Sequence, residues 1–127
     1  MRFFREWLNK LVSAYHTHAT FVFVYIEEAH ATNEWPMPGI NDSVCQHTTL
    51  QERLAAARKL TNAFEFDPHI HFVLDDMNNS YNITYASWPF RYYIIDGGNV
   101  VRKEMPVGDT VSLKELEAWL VDTFGKV

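Results

Sequence analysis

Two adjacent carboxylates and a histidine follow an apolar run, and their chemistry suits proton transfer. Glu27, Glu28 and His30 come directly after residues 21–26. Catalytic groups of open α/β sheets collect at the carboxyl ends of strands. The carboxylates favour the protonated imidazolium of His30, which can donate a hydrogen bond or deliver a proton. The residues alone equally allow a loop histidine that is hydrogen-bonded to its neighbours.

The two carboxylates point to opposite faces if the strand continues through them. Side chains alternate along a strand, so one of Glu27 and Glu28 faces the candidate site and the other faces solvent or a structural partner. The sequence does not say which carboxylate takes which role.

A second histidine, His47, comes just before a helix whose start is marked by the capping pair Thr49 and Glu52. A helix N-terminus is electropositive, so it favours a neutral imidazole that can relay a proton. The alternative is a histidine that only caps the helix. Cys45 lies two residues before His47, so a Cys–His nucleophile pair is conceivable.

Four further histidines form two His-x-His pairs, His16 with His18 and His69 with His71. Alternation along a strand would place each pair on one face, as in some metal sites. No third ligand is evident in the sequence. We therefore predict no metal site.

An alternation of helices and strands positions these residues. Apolar residues at helical spacing predict helices over residues 3–16, 49–64 and 113–124, and a short helix is expected near residues 81–86 of a polar, asparagine-rich segment. Short apolar runs predict strands over residues 21–26, 70–74, 91–95 and 100–103. The first strand is expected to be buried on both faces, and residues 96–99 form a tight hairpin turn. The order is that of an α/β fold.

The second predicted helix carries its apolar side chains on one face, which we expect to be buried. This face consists of Leu50, Leu54, Ala57, Leu60 and Phe64. A loop rich in proline, glycine and asparagine, residues 31–47, precedes the helix. Ser112 and Glu115 form a second capping box before the last helix.

The bulk composition excludes several classes of protein. The 127 residues suit a single domain, residues 1–127, and 47% hydrophobic residues support a core rather than disorder. A net charge of −5 gives no basic patch for nucleic acid. One cysteine excludes an internal disulfide and favours a cytoplasmic or cytosol-facing location. No apolar run reaches the ~20 residues that a membrane-spanning helix needs.

Four segments resemble the iodothyronine deiodinases, in the family's order and with nearly its spacing, over about residues 8–120. They are Tyr25-Ile26-Glu27-Glu28-Ala29-His30 with Trp35 after it, Gln46-His47-x-x-Leu50-x-x-Arg53-x-Ala55-Ala56, Val73-Leu74-Asp75-x-Met77-x-Asn79-Ser80, and Pro89-x-Arg91-x-Tyr93-Ile94-Ile95. One segment alone would be weak, but four in register make chance agreement improbable.

The resemblance implies a thioredoxin-like fold, a mixed sheet flanked by helices, of which this chain lacks the first strand. It implies an oxidoreductase whose selenocysteine, or cysteine, lies a few residues upstream of Met1 and attacks an iodine of the substrate. An external thiol reductant, and no bound cofactor, would restore the nucleophile. Because the selenocysteine codon is usually read as a stop, we hypothesise that the chain begins at the next methionine.

The resemblance also implies roles for individual residues. His30 would contact the substrate beside Pro89, Phe90 and Arg91, with Pro89 at the family's cis-proline position. His47, Glu27 and Glu28 would be catalytic or lie on the proton path. Nothing in the family pattern gives Cys45 a role, so we interpret it as an incidental thiol.

The chain departs from the family pattern in the residues expected to bind the hormone. Phe90 replaces an acidic residue, and a basic residue expected after the last hairpin is missing or shifted to Arg102 or Lys103. The expected substrate is therefore a small iodinated or otherwise halogenated aromatic compound. The alternatives are a thioredoxin- or peroxiredoxin-like thiol redox protein and a non-catalytic pseudoenzyme. The resemblance leaves a homodimer, and a membrane anchor upstream of this chain, as open expectations.

Overall fold

The fold is taken from a computed structural model, which describes residues 2–36, 44–88, 90–104 and 112–127. The helices are α1 (Arg2–Tyr15), α2 (Leu50–Ala63), α3 (Ser80–Tyr85) and α4 (Lys114–Phe124). The strands are β1 (Phe21–Tyr25), β2 (Ile70–Leu74), β3 (Tyr92–Asp96) and β4 (Asn99–Glu104). Their order along the chain confirms the predicted α/β, thioredoxin-like order. Residues 37–43 of the predicted loop lie outside the described residues.

The strands of the described ranges form two hydrogen-bonded pairs, β1 with β2 and β3 with β4. The second pair is antiparallel, and Asp96 opposes Asn99 across its turn. Gly97 and Gly98 have φ angles of 57° and 79°, a conformation that other residues adopt only with strain. The predicted hairpin is therefore confirmed, with an irregularity in register between Ile94 and Ile95.

The chain divides into two compact units. Unit 1 consists of Met1–Phe23, Phe66–His71 and Phe90–Val127, and unit 2 of Val24–Glu65 and Phe72–Pro89. The single domain over residues 1–127 and the missing first strand stay predictions. No helix of the described ranges is long and apolar enough to span a membrane.

The hydrophobic core of unit 1 lies between α1 and α4. The predicted stripe of α1 is confirmed, since Leu11 and Tyr15 are buried together with Leu113 and Leu120. Two side-chain hydrogen bonds fasten the helices at this core. The Tyr15 hydroxyl donates to the Gly125 carbonyl at 2.9 Å, and the Trp7 indole N–H donates to Glu117 at 2.8 Å.

Three sequence predictions about faces and caps are wrong in whole or in part. Val22 of β1 is 56% exposed, so the strand is not buried on both sides. On α2 the prediction is wrong at Leu50 and Leu54, which are exposed, whereas the rest of the predicted face is partly buried and Arg53 is buried. The last helix begins at Lys114, whose N–H donates to the Ser112 hydroxyl, while the Glu115 carboxylate accepts from Arg102 instead of closing a capping box.

The predicted cap of α2 is confirmed. The Thr49 hydroxyl accepts the N–H of Glu52 at 3.1 Å. In return the Glu52 carboxylate accepts from the backbone N–H and the hydroxyl of Thr48, one residue earlier than in the usual capping box. The cap fixes the chain just after His47, so the start of α2 positions that histidine.

Candidate active site

His47 lies buried in unit 2, where a guanidinium holds its ring. The residue is 5% exposed, and Arg53 Nε donates to its Nδ1 at 3.0 Å. A guanidinium can only donate, so Nδ1 must present its lone pair. In the neutral ring the proton then resides on Nε2.

The Nε2 atom of His47 faces a carboxylate. Glu28 Oε1 lies 3.8 Å from it, too far for a direct hydrogen bond. In the described part of the chain this buried nitrogen has no hydrogen-bond partner. The same Glu28 carboxylate accepts a hydrogen bond from the hydroxyl of Tyr25, whose ring centre lies 5.7 Å from that of His47.

The environment of this group favours its neutral forms. Burial first, and then the charge of Arg53, lower the pKa of His47, against a smaller opposing effect of Glu52. Burial raises the pKa of the Glu28 carboxyl. Desolvation penalises whichever form is charged, so the two shifts have one physical origin. The predicted neutral His47 agrees with this direction, although burial and not the helix terminus is the main cause.

Gln46 places Glu28 beside His47. Its side-chain amide accepts from the Glu28 N–H and donates to the Glu28 carbonyl, both at 2.9 Å. Its own N–H donates to Asn33 at 2.8 Å. Since Gln46 directly precedes His47 in the chain, this two-point pairing holds the segment with Glu28 against the segment that carries the histidine.

Glu27 takes a different partner from Glu28. Asn82 Nδ2 donates to Glu27 Oε1 at 2.7 Å, and Asn82 Oδ1 accepts the N–H of Trp88 at 2.7 Å. Asn82 is buried, so it fixes both groups in the protein. The structure thereby answers what the sequence left open, because Glu28 faces His47 and Glu27 has the structural partner.

Arg53 connects α2 to the loop after β2. Its Nη1 donates to the carbonyls of Asp75 and Asp76 at 3.1 and 2.7 Å, and its Nη2 donates to Asn79 Oδ1 at 3.0 Å. The Asp75 carboxylate in turn accepts two backbone N–H groups at the start of α3. Sequence reasoning did not predict this burial, although Arg53 lies three residues after Leu50 and therefore on the same side of the helix as the predicted apolar face.

His30 lies in unit 2 next to Trp35. Its Nδ1 is 3.1 Å from the Trp35 carbonyl, which can only accept, so Nδ1 donates. The two rings meet edge to face, with centres 5.1 Å apart. The other ring nitrogen of His30 can therefore donate only when the ring is protonated.

Cys45 contacts a hydroxyl and not a histidine. The thiol is exposed, and its sulfur lies 3.1 Å from Thr32 Oγ1. Between described residues, no hydrogen bond joins it to His47. This arrangement gives no support to a Cys–His nucleophile pair.

The other predicted substrate-binding residues belong to unit 1 or lie outside the described residues. Phe90 packs edge to face on Phe4, with ring centres 5.6 Å apart. Arg91 Nη1 donates to the Phe90 carbonyl at 3.2 Å. Pro89 lies outside the described residues, and its predicted cis-proline role stays a prediction.

The possible arrangement of each His-x-His pair on one strand face does not occur for the first pair, because His16 and His18 lie in the turn after α1. Instead His16 stacks on His69, one from each pair, at 3.6 Å between ring centres. His69 Nδ1 lies 2.8 Å from the Asp67 carboxylate. No group of three potential metal ligands occurs within the described ranges.

Comparison with known proteins identifies the family. A family model described as iodothyronine deiodinase matches residues 3–124. The chain belongs to the iodothyronine deiodinase family. It is 41% identical over 95 residues to the type I iodothyronine deiodinase of Xenopus laevis, covering 75% of this chain and 36% of the relative. The match to the thyroxine 5-deiodinase of Ovis aries is 34% over 112 residues, covering 88% and 37%.

A third relative, the type II iodothyronine deiodinase of Homo sapiens, is 32% identical over 121 residues. That match covers 93% of this chain and 44% of the relative. The chain therefore spans less than half the length of each of these deiodinases. The predicted family resemblance is confirmed.

Three of the four deiodinase-like segments meet in unit 2. The first supplies Tyr25 and Glu28, the second Gln46, His47 and Arg53, and the third Asp75 and Asn79. Residues that are far apart in sequence thus form one hydrogen-bonded network around His47. This network is the best candidate for the chemistry of the chain.

Proposed function

We propose that this chain carries the proton-handling part of an iodothyronine deiodinase, which reductively removes iodine from an aromatic substrate. The single observation that carries the proposal is the buried group of His47, Glu28 and Tyr25 within segments that match the family. Neighbouring ionisable groups whose pKa values are shifted by burial are typical of acid–base sites.

The reaction needs a proton as well as a nucleophile. A selenolate or thiolate that attacks iodine forms a bond to it, and the carbon–iodine electron pair returns to the ring carbon. That carbon takes up a proton to give the deiodinated product. Two equivalents of an external thiol then reduce the selenenyl or sulfenyl iodide, which forms a disulfide, releases iodide and two protons, and restores the selenolate or thiolate.

The His47–Glu28 pair is suited to supplying this proton. A carboxyl group with a raised pKa retains its proton closer to neutrality and can then give it up. The Nε2–H of the neutral imidazole faces that carboxyl and stabilises the carboxylate left behind. The hydroxyl of Tyr25 reaches the same carboxylate and extends the path by one group.

The nucleophile is proposed to lie upstream of Met1, as a selenocysteine or a cysteine. Cys45 is not proposed for this role, since it is exposed and contacts Thr32. His30 is proposed to donate to a phenolic oxygen of the substrate. Because its Nδ1 already donates to Trp35, it can do so only as the imidazolium.

The substrate is proposed to be a small iodinated phenol rather than a zwitterionic hormone. Phe90 stands where the family pattern has an acidic residue, and here its ring packs on Phe4. An apolar ring cannot form the charge-assisted bonds by which a carboxylate would hold an ammonium group.

The test compares the protein extended upstream, with its natural nucleophile, against residues 1–127 alone. We expect the extended protein to release iodide from an iodinated phenol with a thiol as reductant, and residues 1–127 to release none. His47→Phe should lower the rate by about 10²-fold or more, whereas Cys45→Ala should leave it unchanged.

Each of the following results would overturn this proposal. Peroxide consumption without iodide release from any iodinated phenol or thyroxine would favour a thiol redox protein. An extended protein with neither activity, or an upstream sequence without selenocysteine or cysteine, would favour a pseudoenzyme. Iodide release by residues 1–127 would instead move the nucleophile to Cys45.

A further inference from the structure

Arg53 is a buried cation whose acceptors are all uncharged. The residue is 1% exposed, yet its hydrogen bonds go to an imidazole, two backbone carbonyls and one side-chain amide. Among the described residues no carboxylate forms an ion pair with it. The charge of Arg53 contributes to lowering the pKa of the exposed Asp76 carboxyl, but no carboxylate accepts a hydrogen bond from it. Burying a guanidinium without a direct ion pair is costly, so its position calls for an explanation beyond stability.

We propose that Arg53 is a positioning residue for His47, which fixes the ring with Nδ1 as acceptor and directs the protonated Nε2 at Glu28. This inference rests on the proposed function, because it specifies which nitrogen faces the carboxylate in the proton path. A guanidinium suits the task because it stays protonated at any physiological pH and never accepts. The other neutral form of His47, with its proton on Nδ1, would set two donors against each other and lose the hydrogen bond to Arg53.

The loop after β2 fixes the direction of the Arg53 donor. Asp75, Asp76 and Asn79 hold the two outer nitrogens of the guanidinium at 2.7–3.1 Å. Because the guanidinium is planar, holding the outer nitrogens also sets the direction of Nε–H. A lysine ammonium has no such fork, so it could keep the charge but not the direction.

The charges around His47 act together on its proton. Arg53 donates to Nδ1, Glu28 faces Nε2 at 3.8 Å, Glu52 lies at the start of the same helix, and the ring of Tyr25 packs at 5.7 Å. The positive charge opposes a second proton on the ring, while the two carboxylates favour it. Removing Arg53 should therefore raise the pH at which His47 takes up that proton.

The test is ¹⁵N NMR of the imidazole nitrogens in the full 127-residue chain, with His47→Gln used to assign the His47 signals. In the unaltered protein we expect protonated Nε2, unprotonated Nδ1, and a coupling across the hydrogen bond from Arg53 Nε–H to Nδ1. Arg53→Met should abolish the coupling, release the ring into a mixture of both neutral forms and raise the titration midpoint. Arg58→Met, at an exposed position of the same helix, is the matched control and should change none of these.

Two variants separate positioning from general loosening of the fold. Asn79→Ala removes the bond to Nη2 but leaves the two carbonyl bonds to Nη1 that still fix the guanidinium plane. It should therefore lower stability while His47 keeps its single neutral form. Arg53→Lys keeps the charge without the fork, and it should give a mixture of neutral forms with a smaller rise in midpoint than Arg53→Met.

A protonated Nδ1 in the unaltered protein would overturn the inference, and so would a folded Arg53→Met whose His47 signals are unchanged. An equal change in Asn79→Ala would also overturn it, by showing a purely structural effect. If neither Arg53 variant folds, the coupling between Arg53 Nε–H and His47 Nδ1 in the unaltered protein decides: its presence supports the inference and its absence overturns it. These measurements need no nucleophile or substrate. If the extended protein proved inactive, the deiodinase proposal would fail, but the NMR result on Arg53 and His47 would still hold.

Discussion

Replacing Asn82 by alanine tests the hydrogen bonds that hold Glu27. The amide side chain donates to the Glu27 carboxylate at 2.7 Å and accepts from the Trp88 N–H at 2.7 Å. The backbone N–H of residue 82, which donates to Asp75, stays in the variant. Asn82→Ala therefore removes two side-chain bonds from a buried position and leaves the start of α3 intact.

The expected cost follows from these two bonds. A hydrogen bond to a charged group contributes about 1.5–3 kcal/mol and a neutral one about 1 kcal/mol. Glu27 is half-buried and can regain some water, so the lower end of the first range applies. The free energy of unfolding should fall by about 2.5–3 kcal/mol.

Urea denaturation measures this loss. With a denaturant dependence of about 1–3 kcal/mol per molar for small proteins, the midpoint should fall by about 1–3 M. Asn78→Ala, at an exposed position in the preceding loop, is the control and should change stability by less than about 0.5 kcal/mol.

Asn82→Asp sharpens the test because it retains the acceptor for Trp88 but sets a second carboxylate against Glu27. Like charges at this distance repel, so the variant should be less stable than Asn82→Ala at neutral pH and recover as acid protonates one carboxyl. Equal stabilities of Asn82→Ala and Asn78→Ala, or an Asn82→Asp variant without this recovery, would refute the reasoning.

Two further predictions concern the start of α2. The folded pKa of His47 lies below its ordinary 6.5, so its contribution to stability is present above pH 6.5 and is lost as the pH falls through the lower folded value. The unaltered protein should thus exceed His47→Gln in stability by less at about pH 5.5 than at about pH 7.5. The change is at most about 1.4 kcal/mol for each pH unit by which the folded pKa of His47 lies below the unfolded one. Urea titrations that show the same difference at both pH values would contradict this. Thr49→Ala should cost about 1 kcal/mol in thermal or urea unfolding, since it leaves the Glu52 N–H without its cap; a cost no greater than that of Thr48→Ala would contradict the assigned cap.

The sequence predicted the helices and strands closely, because short-range patterns specify them. Residues 70–74 form the predicted strand, and Gly97 and Gly98 form the predicted turn with positive φ angles. The helix start at Thr49 followed from a pair of residues three apart. In each case the determining groups lie within one or two turns of chain, so tertiary contacts are not needed to recognise them.

The buried face of α2 was predicted less well. Helical periodicity shows which side chains share a face, but it does not show which of them the rest of the protein covers. Leu50 and Leu54 are exposed, whereas Arg53 is buried because the loop after β2 offers carbonyl and amide acceptors to its guanidinium. These acceptors lie at least 22 residues away, beyond the range of any local pattern.

The sequence by itself determined the order of elements, the family, and the candidates Glu27, Glu28, His30 and His47. Only the tertiary structure decided that Glu28 faces His47, that Glu27 binds Asn82 across 55 residues of chain, and that Arg53 sets the ring of His47. The physical reason is that a side chain's type is local, whereas its partner, its burial and hence its proton affinity depend on which distant segments pack against it.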